Sequence, residues 1–278
     1  MKMIVLRADG GGEKGFGHIV RCCRLAAKLE GRGVECVFLS AGDESAIRYI
    51  EEHGFDVRRT DGANVLEDLL SISPDLVIND VRDTDADYIG GLKAAGIPVV
   101  NFDDCGGGRE LADVVFDGNV LPEDNKDDGR LYLGPDYIVL DPVFESYHRR
   151  KKEVAERARK IMIMMGGTDP LELTSKVFDA LGPVAGQYHI SVVAGFGNQR
   201  VSKEIKAREG EGVTVLYGVD CLAGPMYEAD LGITSGGVCM FEMAAVGTAT
   251  VALAQAPHEV INAKLLEDRG IVVSVGMG

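Results

Sequence analysis

The sequence predicts an α/β protein built from two successive parallel-sheet units, and three observations carry that expectation. Short apolar runs rich in Val and Ile recur along the chain, each followed by a turn of small residues and a longer segment with helical spacing. The runs are apolar throughout rather than alternating, as strands buried on both faces of a parallel sheet must be. A stretch rich in Asp, Gly and Pro then interrupts the rhythm near the middle, and a second series of the same kind follows it.

In the first series the clearest strands are MIVLRA from Met3, VECVFLS from Val34, DLVIND from Asp75 and IPVVNF from Ile97. Between the first two, HIVRCCRLAAKLEGRG from His18 places Ile19, Cys22 or Cys23, Ala26 and Leu29 on one face, and Gly31 stops the helix. The interruption, FDGNVLPEDNKDDGRLYLGPDYIVLDP from Phe116, reads as a linker or crossing region. FESYHRRKKEVAERARK from Phe144 predicts a charged helix leading into the second series. There the strands are KIMIMM, HISVVAG, VTVLYG, LGITS, TVALA and IVVSV. The division falls between residues 140 and 158, and the domains are taken as 1–148 and 149–278.

A chain of 278 residues with 46% apolar and 26% charged residues has globular composition and the length of one large domain or two medium ones. The 29 basic and 44 acidic residues give a formal charge of −15. That balance repels nucleic acid and anionic lipid over most of the surface. A small phosphate-bearing ligand stays open, because aligned backbone N–H groups bind phosphate without a basic surface. Cys22, Cys23, Cys36, Cys105, Cys221 and Cys239 show neither C-x-x-C spacing nor a histidine partner of zinc-site type. They read as reduced thiols of a cytoplasmic protein. Too few apolar residues precede Arg7 for a signal peptide, and no segment suits a membrane span.

Ligands of open parallel sheets collect beyond the carboxyl ends of strands. The residues to inspect are therefore Arg7, Ala8 and Asp9 with the glycine loop that follows, Asp80, Asp103 with Asp104, Gly166 to Thr168, and Ser235 to Gly237. Gly10 to Gly15 spell G-x-G-x-x-G, but a dinucleotide site needs an acidic residue at the end of the next strand. Ser40 stands there, and Asp43 and Glu44 come too late. No G-K-[ST] phosphate loop occurs either.

What remains of the loop is GFGH, in which Gly15 and Gly17 flank Phe16 and His18 opens the first helix. Small residues let a ligand approach the backbone, and a helix N-terminus disfavours a protonated ring, so His18 is a candidate general base. Alternatively it merely caps or packs, as His53, His148 and His189 are expected to do. In MGGTDP an apolar strand ends at Gly166-Gly167 and Pro170 stands where a first helical turn begins. N–H groups near Thr168 make a phosphate seat there if the Asp169 carboxylate points away. In SGGVCMFE, Ser235, Gly236 and Gly237 open a second such helix, with Glu242 one turn further. A carboxylate so placed accepts two hydrogen bonds from a ribose diol, or is simply a solvated helix glutamate.

Together RADGGGEKGFGHIVRC, NFDD, LGPDYIVLDPVF, MGGTDP and SGGVCMFE resemble, in order and spacing, the UDP-sugar hydrolases of the pseudaminic-acid pathway, relatives of the MurG-type glycosyltransferases. The resemblance spans nearly the whole chain, and R-A-D followed by G-F-G-H is its most specific element. It implies a GT-B architecture, two Rossmann-like domains facing each other across a cleft with the nucleotide held mainly by the second. It implies that His18 activates water for inverting attack at the anomeric carbon of a UDP-linked diacetamido-trideoxy hexose, without metal or cofactor. It places Arg7, Asp9, Gly15, Gly17, Asp80, Asp103 and Asp104 toward the sugar. Gly166, Gly167, Thr168, Ser235, Gly236 and Gly237 fall by the diphosphate, and Glu242 on the ribose. The chain departs from the family's D-H-Y at Val81 and Arg82, from its L-R-P at Asp141, and from its N-Q pair at His258 and Glu259.

The leading expectation is thus a UDP-sugar hydrolase. An inverting glycosyltransferase keeps the fold and replaces water with an acceptor, and a binding module keeps the nucleotide and loses turnover. Asp9, Asp80 and Asp103 each remain candidates to orient His18 or the sugar amides, or simply form turns at the strand ends.

Overall fold

A computed structural model of the chain describes residues 2–11, 15–119, 129–167, 169–195, 199–210, 212–219 and 221–278. The described residues form two compact units, Met1–Val139 and Leu140–Gly278.

The first unit carries a seven-stranded sheet in the order β3-β2-β1-β4-β5-β6-β7. Its strands are β1 (Met3–Ala8), β2 (Glu35–Ser40), β3 (Asp56–Arg59), β4 (Leu76–Asp80), β5 (Val99–Phe102), β6 (Val114–Asp117) and β7 (Leu131–Leu133). Every neighbouring pair is parallel. Helices α1 (Gly17–Glu30) and α2 (Glu44–Glu52) pack Ile19, Cys22, Cys23, Ala26, Ala46 and Ile50 against Leu6, Phe38 and Ile78 on one face. On the other face α3 (Val65–Ile72) and α4 (Ala86–Ala94) bring Val65, Leu69, Ile89 and Leu92 onto Val5, Leu39, Val77 and Val99. Each such side chain fully removed from water contributes about 1.5–3 kcal/mol, which is why the runs are apolar on both faces.

The second unit repeats the plan with six parallel strands in the order β10-β9-β8-β11-β12-β13. They are β8 (Lys160–Met164), β9 (His189–Ala194), β10 (Val213–Tyr217), β11 (Leu231–Thr234), β12 (Ala249–Ala254) and β13 (Val272–Met277). Helices α5 (Val143–His148), α8 (Ala223–Glu228) and α9 (Val238–Ala245) cover one face through Phe144, Met226 and Met243. Helices α6 (Leu173–Leu181) and α7 (Gln199–Lys206) cover the other, through Leu173, Phe178 and Ile205. Helix α10 (Pro257–Asp268) runs between β12 and β13.

Two expectations are corrected. The interruption is not simply a linker: Leu131–Leu133 adds a strand to the first sheet, with Val115 opposite Leu131 and the rings of Phe102, Phe116 and Tyr132 stacked across β5, β6 and β7. The charged helix is only α5, and residues 149–159 run without helix. That run lacks an apolar stripe to bury, since Val154 is 82% exposed, and an isolated helix of this length is marginal in water. Lys152 Nζ instead donates to the Ala229 carbonyl at 2.7 Å and to the Thr248 hydroxyl, pinning the segment to the second unit. The chain divides between Val139 and Leu140, at the near edge of the 140–158 span expected, and α5 packs its Phe144 among α8 and α9.

Candidate functional site

Both sheets reverse their strand order once, at β1/β4 in the first unit and at β8/β11 in the second. These are the topological switch points beyond whose carboxyl ends ligands of such sheets bind. The chemistry-bearing residues gather at both.

In the first unit Gly11 and Gly15 pair, Gly11 N–H donating to the Gly15 carbonyl at 3.1 Å and Gly15 N–H to the Gly11 carbonyl at 2.7 Å. The chain then reaches Gly17, the exposed first residue of α1, and His18 beside it. Asp80, the last residue of β4, is fully buried. Its Oδ1 lies 2.6 Å from His18 Nδ1 and accepts from Arg21 Nη2 at 2.6 Å, while its Oδ2 accepts from Arg21 Nε at 2.7 Å. The third guanidinium nitrogen, Nη1, donates to Asp103 Oδ2 at 2.5 Å. Cys22 Sγ completes the shell at 3.6 Å from Asp80 Oδ2.

Burial works to raise the Asp80 pKa, but the charge and hydrogen bonds of Arg21, with the bond to His18, hold it below the usual carboxylate range. An ionised carboxylate only accepts, so His18 Nδ1 carries the proton and Nε2 is the nitrogen left to take one. The ring keeps 31% of its side-chain surface open. Burial, followed by the charge of Asp80, pushes the Cys22 thiol well above its ordinary value, and burial pushes Cys23 up to about 12. These two cysteines are packing residues. All six cysteines are free thiols.

The other sugar-side candidates are placed differently. Asp103, at the end of β5 with φ of 46°, joins the network through Arg21 and also accepts from Gly118 N–H at 3.2 Å. Asp104 is fully buried, and Thr84 N–H, Thr84 Oγ1, Gly106 N–H and Asn101 Nδ2 all donate to it, tying the loop after β4 to the loop after β5. Asp9 accepts from Ala41 N–H at 2.8 Å and ties the end of β1 to the end of β2. Arg7 lies over the Tyr88 ring of α4, 4.8 Å from its centroid, on the opposite face of the sheet from α1. The structure thus joins His18, Asp80 and Asp103 and keeps Arg7, Asp9 and Asp104 apart from them.

Sequence reasoning missed two residues here. Arg21 stands three positions after His18, on the same helix face, and that spacing was the available signal. Asp117, ending β6, accepts from Arg109 Nη1 at 2.9 Å, and burial with the neighbouring Asp103 raises its pKa. Among the described residues no group of three or more His, Cys, Asp or Glu side chains is arranged to hold a metal ion.

In the second unit the turns after β8 and β11 lie side by side, because Met164 pairs with Thr234. Gly166 adopts φ of +76°, a conformation glycine takes without strain. A Cβ added there would stand 3.8 Å from Ser235 Oγ, and one at Gly237 would stand 3.6 Å from the same atom. Gly166, Gly167, Ser235, Gly236 and Gly237 therefore form one cluster, whereas Thr168 lies outside the described residues. Glu242, one turn into α9, is 8% exposed and so is not a solvated helix glutamate.

The phosphate seat expected near Thr168 keeps Gly166 and Gly167 among the described residues, and only the helix start expected at Pro170 is corrected. Helix α6 starts at Leu173, and Asp169 turns inward to cap it, accepting from Leu173 N–H at 2.8 Å and Thr174 N–H at 3.0 Å. Such a cap contributes about 1 kcal/mol and consumes the donors a phosphate would use. The donors at α9 have no side-chain cap from Gly237, and Gln255 fastens the neighbouring turn by giving its Nε2 to the Met165 carbonyl at 2.7 Å. A cavity of about 330 Å³ lined by Lys160, His189, Ser191 and Glu228 sits at the opposite, amino ends of β8 and β9, away from this chemistry.

No family model matches the sequence. The chain is 28% identical over 286 residues to the spore coat polysaccharide biosynthesis protein SpsG of Bacillus subtilis strain 168, covering 98% of this chain and 83% of SpsG. It is 30% identical over 274 residues to the uncharacterized protein MJ1062 of Methanocaldococcus jannaschii, covering 92% of this chain but only 56% of that relative's length. Among solved structures, MurG of Acinetobacter baumannii superposes with a TM-score of 0.66 at 18% identity, over 99% of this chain and 86% of that one. LpCGTa in complex with UDP gives 0.65 at 11% identity, over 99% and 84%. The UDP-GlcNAc 2-epimerase of Neisseria meningitidis bound to UDP-GlcNAc gives 0.60 at 12% identity, over 99% and 87%. With two parallel-sheet α/β units of seven and six strands, the chain has a GT-B-like fold.

Proposed function

We propose that the protein is a nucleotide-sugar enzyme of polysaccharide biosynthesis that hydrolyses a UDP-linked amino sugar at its anomeric carbon. The observation that carries the reading is the buried Arg21–Asp80–His18 chain at the first switch point. It fixes one ring nitrogen and leaves the other as a base, the arrangement by which a carboxylate orients a catalytic histidine. The name of SpsG supports the biosynthetic setting, and the UDP ligands named for two structural neighbours support the donor class.

In this reading His18 Nε2 takes a proton from water as the water oxygen bonds to the anomeric carbon. The bond from that carbon to the diphosphate oxygen breaks, and UDP departs with the electron pair. Inversion follows from attack opposite the leaving group. The second unit holds the nucleotide: backbone N–H groups of the Ser235–Gly237 turn and of Gly166-Gly167 face the diphosphate, and Glu242 accepts from the ribose diol. Fixed donors of this kind stabilise charge on the leaving group without a basic surface, which reconciles an anionic ligand with a formal charge of −15.

Likeness to MurG favours a second reading, in which the same base deprotonates an acceptor hydroxyl and the sugar is transferred. A panel of UDP-, CDP- and GDP-amino sugars, followed for nucleotide release with and without acceptors, separates the two. Release in water alone is expected. Release only when an acceptor is present identifies a transferase, and binding with no release identifies a module without turnover.

A further inference from the structure

The glycine turn after β11 already holds an anion of the protein's own. Glu259, the third residue of α10, reaches back so that Oε2 accepts from Gly236 N–H at 3.2 Å and from Gln255 N–H at 2.7 Å. Its other oxygen, Oε1, lies 3.1 Å from the point where a Cβ at Gly237 would stand. Gly236 is glycine because a Cβ there would meet the Glu259 backbone oxygen at 2.4 Å. The bond to Gln255 is the ordinary reach of a glutamate in a first helical turn toward the residues preceding its own helix. The bond to Gly236 is different, since it crosses to another element and takes a donor that a phosphate in this turn needs.

We infer that Glu259 sets the charge selectivity of the nucleotide site: its carboxylate occupies the Gly236 N–H in the free protein, and a phosphate must displace it. The inference rests on the proposed nucleotide role of this turn. Displacement leaves the carboxylate beside the incoming phosphate, so affinity falls as the ligand's negative charge rises. UDP carries more negative charge than the sugar diester from which it forms. Glu259 therefore weakens product binding more than substrate binding and speeds UDP release. The Asp169 carboxylate, by contrast, accepts from Leu173 N–H and Thr174 N–H at the start of α6.

The test is calorimetric titration of the wild type and Glu259→Gln with uridine, UMP and UDP. The amide oxygen of Gln still accepts from Gly236 and Gln255, so the substitution removes charge and keeps the bonds. UDP should bind the variant about tenfold tighter, UMP should gain less, and uridine should stay within about twofold. An equal gain for all three, or none for UDP, overturns the inference while leaving the nucleotide reading intact. No binding of any of them to either protein overturns both. Should the variant fail to fold, wild-type amide spectra decide: saturating UDP should shift the Gln255 and Gly236 resonances together, and a Gln255 amide that stays in place contradicts displacement.

Discussion

The two units share a topology and use their switch points in opposite ways. At β1/β4 the site is made of side chains, a buried carboxylate gripping a histidine and an arginine. At β8/β11 it is made of backbone, three consecutive small residues with a carboxylate from α10 resting on one N–H. Side chains bring proton chemistry, whereas backbone donors bring preorganised charge stabilisation with little titration of their own. On the proposed function one fold supports a chemical half and a holding half, and the difference lies in the few residues that follow the strands.

The comparison breaks most visibly at Asp80. Asp80→Asn leaves Arg21 buried without its main partner, and chemical denaturation should show a loss of about 3–5 kcal/mol. Turnover should fall with it, and UDP affinity, which the proposed function assigns to the other unit, should stay within about twofold. Acid sharpens the same point. The folded-state pKa of Asp80 is depressed, so the stability it supplies is fully present above about pH 3.9. It is lost as the pH falls through the folded value, and denaturation curves of Asp80→Asn should lack that part of the acid slope.

In the second unit Gly236→Ala should reverse the pattern. Its Cβ meets a backbone oxygen at 2.4 Å, so the turn or α10 must shift, at about 1–3 kcal/mol of strain. UDP affinity should drop by about tenfold or more, with the pH dependence due to Asp80 unchanged. A smaller effect is expected from Asp169→Ala, which removes the α6 cap for about 1 kcal/mol and leaves UDP affinity as it was. A large loss of affinity there would mean that the turn after β8 depends on the cap.

Much of this was legible in the sequence because burial on both faces forces continuous apolar runs, and those runs locate ten of the strands. The remaining ones follow other rules. Asp56–Arg59 is a charged edge strand, where solvent tolerates Arg58 and Arg59. Leu131–Leu133 is too short to show a period. The GFGH segment disclosed His18, and strand ends disclosed Asp80 and Asp103, but which carboxylate meets the ring depends on the β1/β4 neighbourhood, a tertiary fact. The inward turn of Asp169 and the reach of Glu259 are likewise set by helix starts, which pattern reading places to within a few residues.

The central claim is that the base sits in one unit and the nucleotide seat in the other. It is tested most directly by measuring, on one preparation of His18→Ala, both the rate of UDP release from an amino-sugar donor and the dissociation constant for UDP. The rate should fall by about 10²–10⁴ while the dissociation constant keeps its wild-type value. A variant that retains its full rate, or one that loses UDP binding along with turnover, contradicts the division.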